Sequence, residues 1–286
     1  LMMAIPPTVS QLNGAGKRAE IGPIWRQALW LAVIVGVLLF AFMRWSPQLL
    51  VLMQIDESIR LPASEFLYAI SWGAPGLALF FASRYLSEGL SWTQPTLVFG
   101  VVALILLVPV GYVLLFGYGP IPEMGAAGLG YATALIMWLE FLAFAWYLYK
   151  SKHFADLGLL SRWDWPKFSA IKQLLFLGIP MGIAIFMEGS LFVATALFIG
   201  QLGAVDVAAH QIALNVASAS FMIPLGIALA TTVRVGHAIG ARDYSAVRWA
   251  MKAGLFLVLI TQTLSALMLI FAGHWISSLY TNDANI

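Results

Sequence analysis

Cysteine is absent from the 286 residues, which excludes disulfides, thiolate metal sites and cysteine nucleophiles. Only four histidines occur, scattered along the chain, too few and too far apart for an imidazole-only metal centre. Charge is scarce as well. Charged residues make up 10% of the chain, and 15 Lys+Arg against 13 Asp+Glu leave a net charge of +2, too small an excess to suggest nucleic-acid binding. Enzyme signatures are also missing: there is no H-E-x-x-H, no G-x-S-x-G and no phosphate-cradling G-x-x-x-x-G-K-[ST]. No apolar run carries the paired Asp or His that intramembrane hydrolysis needs, so neither an enzyme, a cofactor nor an ATP-driven pump is expected. What the sequence holds instead is hydrophobic residues, 61% of the total, with a mean hydropathy of +0.89. That composition excludes a soluble domain and predicts an all-α polytopic membrane protein.

Apolar runs bounded by charge or by Gly and Pro predict spans at 22–44, 60–85, 95–117, 124–149, 168–199, 205–234 and 243–275, with 1–13 as the tail of another. The bundle is thus about seven full spans plus the end of one. Because residue 1 is Leu and the chain stops just after an apolar run, at SSLYTNDANI, a bundle truncated at both ends is expected. Pro75, Pro109, Pro180 and Pro224 fall inside these spans and predict kinks, tolerated where neighbouring helices satisfy the freed backbone. GAAGLG (125–130) and GIPMG (178–182) predict close helix packing.

Orientation follows from the cations. Thirteen Lys and Arg fall on one side of the predicted spans and two, Arg44 and Arg60, on the other. The positive-inside bias makes the richer face cytoplasmic, so 150–167 is predicted to be an inner loop and 117–123 an outer turn. Sliding the chain on itself by 224 positions pairs Ala4 with Ala228, Thr8 with Thr232, Val9 with Val233, Gly16 with Gly240, Arg18 with Arg242 and Trp25 with Trp249. Each copy ends an apolar helix, turns through a Gly-containing basic segment and enters another. Two halves of like orientation, related by an axis along the membrane normal, are a transporter-like arrangement.

Glu188 is the first candidate for chemistry, an acid near the middle of 168–199 with no basic residue within several turns. A mid-membrane charge costs about 3 kcal/mol or more, so such a carboxylate is a functional candidate by default; the alternative is a protonated Glu hydrogen-bonded to neighbouring backbone. Gln211 and Asn215 lie four residues apart on one helix face with His210 beside them, set to line a cavity or to make interhelical hydrogen bonds. Phe186, Met187, Phe192, Phe221 and Met222 could offer a soft surface to apolar cations, or simply pack. Glu140, a second intramembrane acid nearer the basic end, reads as a structural or snorkelling residue.

Several segments resemble one family: PPTVSQLNGAGKR (6–18), RYLSEGLSWTQP (84–95), MGAAGLGYAT (124–133), GIPMGIAIFMEGSLF (178–192), AAHQIALN (208–215) and MIPLGIALATTVRVGHAIGAR (222–242). They are similar to the multidrug and toxic compound extrusion (MATE) transporters, in particular the NorM-like bacterial branch. The sequence departs from that branch around Pro109, where Leu107 and Gly111 replace two Asn. The resemblance implies a two-lobe bundle of twelve helices, with 1–150 in a first lobe, 151–167 as the inter-lobe loop and 168–286 in a second lobe. It implies a multi-pass protein of the bacterial inner membrane that exports cationic or amphipathic drugs in exchange for Na⁺ or H⁺. Glu188 is then the cation-coupling carboxylate, and any bound metal would be Na⁺ there. The repeat spacing extends to an intact length of about 430 residues. A lipid-linked-oligosaccharide flippase of related architecture, a membrane scaffold or an intramembrane enzyme are the alternatives. The flippase should show more cations inside its spans.

Overall fold

The computed structural model describes residues 1–53, 56–161, 164–199, 204–278 and 280. Ten α-helices account for most of them: α1 (Ile5–Gly14), α2 (Ile21–Trp45), α3 (Pro47–Leu52), α4 (Glu57–Ser71), α5 (Ala74–Gly89), α6 (Gln94–Phe116), α7 (Gly125–Lys150), α8 (Phe168–Ile199), α9 (Ala204–Gly240) and α10 (Tyr244–Ser278). Among the described residues the single extended pairing is a bridge between Tyr118 and Ile121, in the turn after α6. Six helical segments are long and apolar enough to cross a membrane, and α4 with α5 make a seventh, broken span. The protein is therefore a multi-pass membrane bundle. Its many exposed Leu, Ile, Val and Phe side chains lie largely on such helices, as apolar surroundings allow.

The predicted span at 60–85 needs correction. It is two helices, α4 and α5, bent by 50° at Trp72–Gly73. Proline alone does not explain the break, because Pro109, Pro180 and Pro224 all sit inside helices that continue through them. The surroundings of the break decide it. The Trp72 carbonyl accepts a hydrogen bond from Trp138 Nε1 at 2.8 Å, and Gly73 lies against Ala134 and Met137 of α7. A backbone carbonyl turned out of its helix thus keeps a partner, as a low-dielectric setting demands. Arg44, at the end of α2, adds a further brace: its Nε donates to Ser71 Oγ at 3.1 Å, and its guanidinium lies 5.1, 5.5 and 5.2 Å from the rings of Phe40, Tyr68 and Trp72. Cation–π contact with three rings gives that charge a reason to stay.

Small residues let helices touch, as the GAAGLG segment predicts. A methyl on Gly128 would run into the Leu114 carbonyl, and one on Gly130 would meet Phe66 and Ala69 of α4. A buried apolar core joins α1, α2, α5 and α7, with Trp25, Leu86 and Phe144 among its members.

The described residues of the segment 151–167 are strapped to α2 and to the Arg18 turn before it. Arg26 Nε donates to Asp164 Oδ2 at 2.7 Å, and its Nη1 donates to the carbonyls of Gly158 and Leu159 at 2.7 and 3.0 Å. Gln27 donates to the Trp165 carbonyl and accepts from the Lys167 amide, while Trp30 stacks on Trp165. At the other end of the strap, Arg18 reaches Asp156 Oδ2 at 2.5 Å and the His153 carbonyl at 3.2 Å.

Candidate functional site

α8 ends and α9 begins on either side of residues 200–203, so depth along each helix can be counted from that junction. Glu188 is eleven residues before the end of α8 at Ile199, and Asn215 is eleven after the start of α9 at Ala204. At a rise of about 1.5 Å per residue both lie roughly 17 Å in from the same end. Phe186 and Met187 share that depth; Gln211 and His210 lie nearer the end, and Met222 deeper. Glu188 is exposed and, among the described residues, forms no hydrogen bond or ion pair. Asn215 Nδ2 donates to the Gln211 carbonyl one turn back, at 3.0 Å, so the amide is held along its own helix. His210 Nε2 is enclosed with no hydrogen-bond partner among the described residues. Phe186, Met187, Phe192, Phe221 and Met222 all present exposed apolar surface. Glu140 lines a small cavity of about 210 Å³ between α6 and α7, walled by Phe99, Ile136 and other apolar side chains.

At the basic end the two repeat copies meet. Gly14 lies against the His237 backbone, Gly236 against Ser10 and Gly240 against the Gln11 carbonyl, so closely that a methyl at any of the three would collide. The α1–α9 contact is therefore nearly backbone to backbone, and it closes this end of the bundle.

Beside that contact is a cavity of about 370 Å³ between α1, α5 and α9 that sequence reasoning missed. Its polar lining is Arg84, Glu88, Ser91, Thr93 and Arg234. Arg84 Nε donates to Glu88 Oε1 at 2.7 Å, and Glu88 is only 9% exposed. The i, i+4 spacing of Arg84 and Glu88 was the available signal. Arg234, 150 positions further along the chain, carried none.

A family model described as MatE matches two stretches, residues 1–113 and 180–286. The chain belongs to the MatE family. Among MatE relatives, the "Probable multidrug resistance protein NorM" of Xanthomonas campestris pv. campestris is 48% identical over 285 residues, covering 100% of this chain and 62% of the relative. The "Multidrug resistance protein PmpM" of Pseudomonas aeruginosa is 38% identical over 283 residues, covering 99% of this chain and 59% of the relative. The chain thus spans about three fifths of the length of these curated MatE relatives. The fold agrees. The solved eukaryotic MATE transporter AtDTX14 superposes with a TM-score of 0.87 at 18% identity, over 99% of this chain and 62% of that one. A structure titled as the outward-facing conformation of a multidrug resistance MATE family transporter gives 0.84 at 19% identity, over 98% and 61%. Members of the MatE family are transporters, not enzymes, and two separate matches of one model in one chain agree with the internal repeat.

Proposed function

We propose that this MatE chain is part of a secondary antiporter that exports cationic or amphipathic organic compounds in exchange for Na⁺ or H⁺. Drug export is taken from relatives named as multidrug resistance proteins, and the cationic or amphipathic class from the soft Phe and Met surface near Glu188; the coupling role rests on Glu188. An ionised carboxylate at that depth costs about 3 kcal/mol or more, and either a proton or a sodium ion removes the cost, so occupancy follows the ion gradient. Residues 1–150 and 168–286 act as two lobes, joined through 151–167, with 150–167 facing the cytoplasm. The α1–α9 contact then closes the cytoplasmic half, and alternating access requires that it separate. His210, Gln211, Asn215, Phe186, Met187 and Met222 form the adaptable wall that the organic cation meets.

Glu188→Gln keeps shape and hydrogen-bonding reach and removes the titratable charge. In the protein expressed from its whole reading frame and placed in vesicles, ion-gradient-driven efflux of a fluorescent cation is expected to collapse while equilibrium binding persists. Glu140→Gln is expected to have a milder effect. Wild-type efflux by Glu188→Gln under an imposed gradient refutes the coupling role.

A further inference from the structure

The cavity between α1, α5 and α9 has no part in the proposed coupling, and its chemistry is of a different sign from that of Glu188. It holds two guanidinium groups and one carboxylate. The carboxylate is already taken: Glu88 accepts from Arg84 Nε at 2.7 Å, which leaves the Arg84 terminal amines as unused donors. Arg234 forms no ion pair or side-chain hydrogen bond among the described residues. The Ser91 and Thr93 hydroxyls, also in the lining, make none there either. α6 begins at Gln94 with no acidic residue in its first turn and no side-chain cap on Thr93, so its positive end faces the same space uncompensated. Donors outnumber acceptors, and the net charge of the lining side chains is positive.

The remaining wall is apolar, with Pro6, Leu229 and Val233 among its members. On α9 the lining extends from Arg234 back to Gly226, roughly 12 Å along the helix axis. A cluster of donors at a basic helix end above an apolar slot has the two-part chemistry of a headgroup and the chain attached to it. Drug cations do not fit, since the cavity holds two guanidinium groups and its one carboxylate is engaged by Arg84.

We propose that this cavity is a phosphoester-binding site at the basic end of the bundle, with Arg234 and the terminal amines of Arg84 gripping the phosphate oxygens and Glu88 competing with them for Arg84 as an internal acceptor. Planar guanidinium groups match phosphate oxygens in bidentate fashion, which a point charge does not. The same phosphate chemistry is available from an anionic phospholipid of the adjacent leaflet or from a soluble phosphate ester, and the apolar slot favours the lipid. This inference stands apart from the export reading, because the site can bind whether or not Glu188 couples transport to an ion.

The test uses protein from the whole reading frame, purified in detergent, with bound lipid counted by native mass spectrometry. The probes are dioleoylphosphatidylglycerol, zwitterionic dioleoylphosphatidylcholine and glycerol 1-phosphate. One more phosphatidylglycerol than phosphatidylcholine should be retained tightly. Arg234→Gln should weaken it about tenfold, as expected for losing one charge-assisted phosphate contact, and Arg234→Lys should restore part of the loss. Glu88→Gln should tighten it, because Arg84 is then released from its internal acceptor. A fold defect predicts weakening in both variants, so the opposite signs separate a binding role from a structural one. Glycerol 1-phosphate displacing the lipid at equal concentration supports the site with a soluble ester as its source. Unchanged affinity for both probes in Arg234→Gln overturns the proposal.

Discussion

Arg26→Met tests the strap that binds residues 151–167 to α2. The Arg26 and Asp164 side chains are 8% and 13% exposed, so the pair is close to fully desolvated, and two further bonds run from Nη1 to the Gly158 and Leu159 carbonyls. Methionine keeps the apolar stem and removes the charge. Breaking a buried pair costs about 3–5 kcal/mol, and the residual exposure of Asp164 argues for the lower end, about 3 kcal/mol. Applied to local opening, that figure is a rise on the order of a hundredfold in the exchange rate of the amides at 153–161. Hydrogen–deuterium exchange in detergent reads it directly, with α4 amides as an internal standard. Arg26→Met with Asp164→Leu should recover much of the protection, because two apolar groups of similar bulk remove the charge that would otherwise be stranded. Unchanged exchange at 153–161 in Arg26→Met would refute the strap as a stabilising element. Recovery absent from the double variant would refute the electrostatic account of it.

Gly240→Ala should force α1 from α9, since the added methyl meets the Gln11 carbonyl; in a chain without cysteine, cross-linking of an introduced Cys pair across this contact should fall several-fold, and unchanged yield would show that the helices are not held this close. The outer anchor of the strap is pH-dependent in one direction. A hydrogen bond from Arg18 holds the Asp156 carboxyl below the usual carboxylate range, against the opposing effect of burial and with help from the Arg18 charge. A folded-state pKa below the unfolded one means that the link stabilises fully above about pH 4 and is lost as pH falls through the depressed value. Both side chains are more than a third exposed, so the effect is modest. Relative to the intrinsic pH dependence of amide exchange, protection at 153–157 should fall on acidification below pH 4 in the wild type and be flat in Asp156→Asn; equal slopes would refute the link.

The spans were readable because a membrane helix announces itself by length and composition alone, and each observed helix from α6 to α10 overlaps a predicted run. A kink was expected at Pro75 as at three other prolines, but that only this one would accompany a break, between α4 and α5, was not readable, since helices continue through Pro109, Pro180 and Pro224. What distinguishes Pro75 is a donor at Trp138 and a neighbour at Ala134, about sixty positions away in sequence. The strap was hidden for the same reason: Arg26 and Asp164 are 138 positions apart, and 151–167 read simply as a connecting loop. Glu188 could be picked out because an acid in an apolar run is conspicuous in one dimension.

The repeat teaches a finer lesson about what matching residues mean. Gly16 and Gly240 occupy equivalent positions, yet they serve different physical ends. Gly16 has a φ of +71° with open space around it, so it is there for a left-handed backbone conformation that few residues adopt. Gly240 touches the Gln11 carbonyl, so it is there because a side chain would not fit. Ser10 and Arg234 are likewise equivalent under the 224-position shift, but Ser10 is fully buried against Gly236 while Arg234 is exposed beside the cavity. Equivalent helices that pack on each other about an axis cannot present the same face to the same neighbour unless the axis is exact. The departures from symmetry put the one unpaired guanidinium of the cavity on α9 alone, with no counterpart on α1. For that reason the phosphoester site is expected once per chain, and a second lipid released by a variant in α1 would count against this reading of the cavity.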